Sequence, residues 1–221
     1  MAPLTVDIWS DVVCGWCYIG KRRLEAALAQ FEHRDDVTVL WHSYELDPTA
    51  PAVNPQRTAE MLAEKYGTSI EEAESRLIGI TEVAAAEGLT YNVADARGGN
   101  SFDAHRLIHL AAEQGLGEQV SERLFSAQHC EAEATGDRET LERLATEAGL
   151  QPGDVRDVLD GDRYADAVRA DEQAAAQIGI RGVPFFVLGR KYGLSGAQPA
   201  EVLVQALQQT WDEAEQAKDA A

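Results

Sequence analysis

Ser10-Asp11-Val12-Val13-Cys14-Gly15-Trp16-Cys17-Tyr18-Ile19-Gly20-Lys21 decides how the chain is read, because it joins a strand-like run to a helical stripe and carries two of the three cysteines. Upstream, Leu4-Thr5-Val6-Asp7-Ile8-Trp9-Ser10 is short, β-branched and aromatic, the composition of a strand. Downstream, Leu24, Ala27, Leu28 and Phe31 recur at helical spacing, which predicts a helix opening near Cys14 and closing by His33. Two cysteines three residues apart in a first helical turn share a face and lie close enough to be bridged. The helix start also offers unpaired N–H groups and the positive end of the dipole, both of which favour thiolate over thiol. Thiolate is the attacking species, and cysteines placed in this way span pKa values from about 3.5 to 7.5. Cys14 therefore reads as the nucleophile and Cys17 as the thiol that resolves the mixed disulfide. Between them Gly15 loosens the loop and Trp16 presents an apolar surface beside the reacting sulfur.

The rest of the composition narrows the setting. The chain has 221 residues, 45% of them hydrophobic, enough for one sizeable core. Its 38 acidic residues against 19 basic ones give a net charge of −19, a surface that repels nucleic acid and anionic membranes. No stretch reaches the roughly 18 to 20 apolar residues of a membrane span. The start, Met1-Ala2-Pro3-Leu4-Thr5-Val6-Asp7, has neither a basic leader nor an apolar run, so a cytoplasmic location is expected. Three unevenly spaced cysteines do not make a disulfide framework, and a close pair in a reducing compartment reads as catalytic or metal-binding. Structural zinc would want a second close pair or two histidines, and only Cys130 remains, so redox chemistry leads and no metal or cofactor is expected.

Farther along, Val37-Thr38-Val39-Leu40-Trp41-His42 is a second strand, and with the first it makes a β-α-β unit whose strands should run parallel. A Pro- and Ala-rich loop from Asp47 to Pro55 then gives way to helical periodicity up to about Ile178. Within that block Ala59, Leu62, Ala63 and Tyr66 form one stripe, and Ser69 with Glu72 a capping box ahead of Ala73, Leu77, Ile80 and Ala84. Further helices are expected over 102–112, 120–128, 141–148 and 164–178. Strand character returns in Val183-Pro184-Phe185-Phe186-Val187-Leu188, with 191–195 as its hairpin partner. A last helix starts around Pro199 and buries Leu203, Leu207 and Trp211, before an acidic tail expected to fray after Asp212. The order predicts an α/β molecule: a thioredoxin fold made of residues 1–47 plus 179–221, interrupted by a large α-helical domain over 48–178.

A proline that begins a strand after a helix, as in Gly182-Val183-Pro184, is often cis. It gives no N–H, so Val183 is expected to offer its own N–H and C=O to an extended substrate beside Cys14, as an added strand would. The alternative is a trans proline at a sheet edge.

These stretches resemble the DsbA-like thioredoxin-fold oxidoreductases, and within them the FrnE branch. The resemblance covers nearly the whole chain and rests on four segments: residues 10–21, Asn100 to Leu107 with Ala104-His105-Arg106-Leu107, Gly182-Val183-Pro184-Phe185-Phe186, and Ser195-Gly196-Ala197-Gln198. It implies a thioredoxin domain with an inserted helical domain, Cys14 as nucleophile, Cys17 as resolving thiol, Pro184 cis, and Asn100 and His105 lining the cleft opposite Cys14. The branch usually has Pro where Gly15 stands; glycine adds flexibility and a donor, which leaves open the direction of electron flow. The related 2-hydroxychromene-2-carboxylate isomerases place a serine where Cys14 lies, which argues for redox chemistry over isomerisation.

The expected partner is a disulfide or thiol, protein or low-molecular-weight, and a homodimer is compatible with the sequence. Two other functions compete: a glutathione-type isomerase or transferase using the same cleft, and a redox-sensing, chaperone-like binding module. His105 and His109 share a helical face, where a metal is one reading and a satisfied core or cleft histidine the commoner one. Cys130, after His129, reads as a small buried hydrophobe, with a second redox role as its alternative.

Overall fold

The computed structural model describes residues 4–93 and 95–219. Strand β1 (Leu4–Ser10) feeds helix α1 (Gly15–Gln30), and β2 (Val37–Ser43) follows. Helices α2 (Thr58–Tyr66), α3 (Ile70–Ala86), α4 (Phe102–Glu113), α5 (Gly117–His129), α6 (Arg138–Glu147) and α7 (Pro152–Asp160) fill the middle of the chain. Helix α8 (Ala165–Gln177) leads to the hairpin β3 (Phe185–Leu188) and β4 (Tyr192–Ser195), and α9 (Ala200–Asp219) ends the fold. No helix among the described residues is long and apolar enough to cross a membrane.

The four strands form one sheet in the order β2-β1-β3-β4. Strand β1 is central: it pairs in parallel with β2, Leu4 opposite Val37 and Ser10 opposite Ser43, and antiparallel with β3, Trp9 opposite Phe185. Alternation along β1 sorts its side chains between two faces. Leu4, Val6 and Ile8 meet Leu24, Ala27 and Phe31 of α1 and Leu203, Leu207 and Trp211 of α9. Trp9 faces the other way, onto Ala175 of α8 and Ile180. The sheet thus carries helices on both faces, as a thioredoxin fold requires.

Helix α8 closes the predicted helical block in sequence, but it packs on the sheet. The Trp9 indole donates to Asp171 O at 3.0 Å, and Ser43 N–H donates to the Asp171 carboxylate at 2.8 Å. Helices α4 to α7 form a bundle around Leu107, Leu110, Leu124, Leu141, Leu144, Val155 and Val158. Helix α7 was not among the expected helices; Pro152 occupies its first turn, where its missing N–H costs nothing. Arg106 is buried and ties the end of α7 down, donating to Gly161 O at 2.6 Å and Arg163 O at 2.9 Å.

Two smaller expectations change. Only half of the Ser69–Glu72 box forms: Ser69 Oγ accepts from Glu72 N–H at 3.1 Å. Helix α9 does not stop at Asp212; Glu213 accepts from the Tyr192 hydroxyl at 2.5 Å and pairs with Lys191, anchoring another turn to β4. The loop over 47–55 is a strap rather than a loose linker. Asn100 N–H donates to Pro51 O and Asn54 N–H to Gly98 O, both at 2.8 Å. The Ala52 carbonyl comes so near Gly136 and Gly99 that a Cβ there would sit 1.8 and 2.2 Å from its oxygen.

Candidate active site

Cys14 is the N-cap of α1, with extended backbone (φ −92°, ψ 108°), and Cys17 N–H closes the first turn on Cys14 O at 2.9 Å. The β1–α1 turn that delivers it is built by Asp11, whose main-chain oxygen accepts from Cys14 N–H at 3.1 Å. The Asp11 carboxylate is wholly buried and accepts from Leu46 N–H at 2.7 Å and Val13 N–H at 3.3 Å. Two further pins come from α5 and from the segment that joins α3 to α4. His129 Nε2–H donates to Val12 O at 2.9 Å, and the Tyr91 hydroxyl donates to Gly15 O at 2.6 Å. A Cβ on Gly15 would lie 3.0 Å from Ile80 Cδ1, so glycine here lets α3 close over the helix start. Gly15 is therefore packed and held, contrary to the loose loop its composition suggested.

The Val183–Pro184 peptide is cis, and Val183 O stands 3.5 Å from Cys14 Sγ, within reach of a thiol donor. Gly20 permits that approach: a Cβ on it would be 3.0 Å from Pro184 Cγ and 3.3 Å from Phe186 Cζ, so only a bare Cα lets α1 lie this near the start of β3. The structure brings together Cys14, Gly15, Trp16, Cys17, Val183 and Pro184. Cys14 is 8% exposed and Cys17 1%, whereas Trp16 shows 43% of its surface and stands at the rim. Burial pushes the Cys17 thiol up, and the Cys14 sulfur beside it pushes in the same direction. The charged form of Cys17 is thus disfavoured where it sits.

Asn100 and His105 lie elsewhere. The Asn100 amide donates to Glu45 Oε1 at 3.1 Å and its oxygen accepts Phe102 N–H at 3.0 Å, so it fastens the strap to the start of α4. His105 is buried, with Nε2 3.5 Å from Asp11 Oδ1. His109 turns to Asp171 at 3.2 Å, so the two histidines of α4 face different carboxylates. Cys130 caps α5 and packs, half-buried, against the Cys14 cluster, with its thiol pushed up by burial. Glu25, Glu118 and Glu122 converge within 4.8 Å, but the buried Lys21 ammonium pairs with all three. The pins at Tyr91 and His129 were missed in the sequence, since each acts 76 or more residues from its partner and neither sits in a local motif.

Residues 5–208 match the family model of the DSBA-like thioredoxin domain. Among solved structures, the chain is 49% identical to a probable DsbA oxidoreductase from Streptomyces coelicolor, with a TM-score of 0.92 over 95% of this chain and 91% of that one. A 2-hydroxychromene-2-carboxylate isomerase shares the fold at 16% identity and a TM-score of 0.68, covering 98% of this chain and 99% of the other. The cytosolic disulfide reductase DsbM from Pseudomonas aeruginosa, solved with GSH, does so at 18% identity and a TM-score of 0.59, over 97% and 99% of the two chains.

Proposed function

The chain belongs to the DSBA-like thioredoxin-domain family, whose chemistry is thiol-disulfide exchange, and from there we propose that Cys14 and Cys17 are the redox pair that performs it here. The observation that carries the proposal is the asymmetry of the pair: Cys14 at a helix start facing Val183 O, and Cys17 one turn in and buried, its thiol pushed up by that burial. In the reducing direction the Cys14 thiolate attacks a substrate disulfide and one substrate sulfur leaves. Cys17 then attacks Cys14 Sγ, the Cys14–Cys17 bond forms, and the second substrate thiol departs. Run backwards, the same steps oxidise a dithiol.

Beside Cys14, Val183 offers main-chain groups to an extended segment and Trp16 an apolar rim, which suits a peptide or a tripeptide thiol. A cytosolic disulfide reductase of the same fold was solved with GSH, which makes oxidised glutathione the first small substrate to test and a cytoplasmic setting the one we favour. The isomerase likeness extends to the fold alone.

Insulin reduction by dithiothreitol tests the reading. The wild type should accelerate it and Cys14→Ser should not; equal rates with both would sink the proposal. Acceleration that survives Cys14→Ser would point instead to a binding role indifferent to the pair.

A further inference from the structure

Arg23 reaches past its own helix in two directions. It lies on α1 one turn beyond Gly20, on the face that meets Pro184 and Phe186. Its Nε–H donates to Glu87 Oε1 at 2.6 Å, at the end of α3, and its Nη1–H donates to Ala197 O at 2.6 Å, in the turn between β4 and α9. Side-chain exposure is 17% for Arg23 and 23% for Glu87, so water competes little for these charge-assisted bonds. The two cations that precede it turn elsewhere: Lys21 pairs with Glu25, Glu118 and Glu122, and Arg22 with Glu25 and Glu122, which fastens α1 to α5.

The turn that Arg23 grips supports the Val183–Pro184 wall. Gly196 N–H donates to Pro184 O at 2.8 Å, next to the Phe185–Ser195 pair of the hairpin. Gly196 has φ +80°, a conformation that glycine adopts at no steric cost, and Gln198 N–H returns to Gly196 O at 2.9 Å, so the turn is tight. Ala197 and Val183 both pack against the cluster that holds Cys14. A continuous path therefore runs from Arg23 through Ala197 and Gly196 to Pro184, and Val183 O at its end stands 3.5 Å from Cys14 Sγ.

We propose that Arg23 is a positioning residue for disulfide exchange, an inference that rests on the redox reading above. Its guanidinium holds the 196–198 turn, and with it the Val183–Pro184 peptide, at the spacing from Cys14 that an extended disulfide substrate requires. A substrate strand laid on Val183 has to bring its sulfur into line with Cys14 Sγ, and a misplacement of about 1 Å costs up to about a hundredfold in rate. Arginine suits the task because its planar fork donates along two fixed directions at once, where a lysine ammonium is a single point. Arg23 touches neither the sulfurs nor the substrate; it sets where the wall stands.

The test compares reduced wild type, Arg23→Met, which keeps an apolar stem and loses both donors, and Glu87→Ala, which frees the end of α3 and leaves the Ala197 bond. Three quantities are read: single-turnover reduction of a disulfide-linked peptide dimer at varied concentration, alkylation of Cys14 by iodoacetamide mapped by mass, and hydrogen exchange at the Gly196 amide. Iodoacetamide needs no strand on Val183, so it reports the Cys14 thiol apart from the wall. Arg23→Met should lose at least about tenfold in peptide reduction at low concentration while Cys14 alkylates within about twofold of wild type. Its Gly196 amide should exchange at least about tenfold faster, and Glu87→Ala should stay near wild type in all three. Wild-type peptide reduction or wild-type Gly196 exchange in Arg23→Met would overturn the proposal. So would alkylation that falls by the same factor as peptide reduction, or a loss in Glu87→Ala as large as in Arg23→Met, which would assign the effect to α3. A wild type whose Cys14 is alkylated yet never attacks the peptide disulfide would overturn the redox reading and this proposal together, a result seen without any variant. Should Arg23→Met fail to fold, Arg23→Lys, which keeps the charge beside Glu87 but lacks the fork that reaches Ala197 O at the same time, decides by the same three readings.

Discussion

His129 shows how much of the site depends on single residues far from the motif. Its ring is wholly buried among Tyr18, Tyr91 and Phe125, and that burial pulls its pKa down to about 4 against the pull of Val12 O and Asp11 in the other direction. In the unfolded chain the ring titrates near 6.5. The unfolded state therefore binds the proton first, and the stabilisation from a neutral His129 is full above about pH 6.5 and lost as pH falls towards 4, worth roughly 3 kcal/mol. His42 acts in the opposite sense: its pKa is raised by Asp171 and Asp7 in spite of burial, so its contribution is full below about 6.5 and fades as pH rises through its folded value. Urea denaturation of His129→Gln, which keeps a donor for Val12 O, should lose clearly less stability between pH 6.5 and 4.5 than the wild type. An unchanged pH slope would mean that His129 is not what titrates there.

At the scale of elements, the cleft exists because α1 and β3 approach through Gly20 and Pro184, and because Ile80 of α3, Tyr91 between α3 and α4, and His129 of α5 close over the helix start. Gly20→Ala would press a methyl group against two rings, Pro184 and Phe186, neither of which yields easily, at a cost of about 1–3 kcal/mol. The melting temperature should fall and disulfide exchange should weaken with it; a variant as stable and active as wild type would show that the approach is not tight. Helix α8 belongs with the sheet by its contacts, so we propose that the discontinuous thioredoxin unit takes in α8 and that the insert is α2 to α7.

For the whole molecule, the sequence was informative where a local pattern carries the physics. The β-α-β start, the parallel pairing of β1 and β2, the returning hairpin and the position of the cysteine pair follow from period, composition and a helix start. What escaped was set by contacts between distant segments. Arg106 gives no sign in sequence that it caps α7, the strap depends on glycines at 99 and 136, and α7 itself was not among the expected helices. The same holds within the site: Asn100 and His105 were expected opposite Cys14, yet one bonds to the strap and the other sits beside the Asp11 carboxylate. Gly15 was read as slack because glycine is mobile in isolation, whereas Tyr91 and Ile80 hold it. The central claim is the division of labour between Cys14 and Cys17, and the most direct measurement is to map the adduct that Cys17→Ser forms with oxidised glutathione. A stable mixed disulfide on Cys14, absent from Cys14→Ser, is the predicted result; an adduct on Cys130 alone, or none at all, would contradict it.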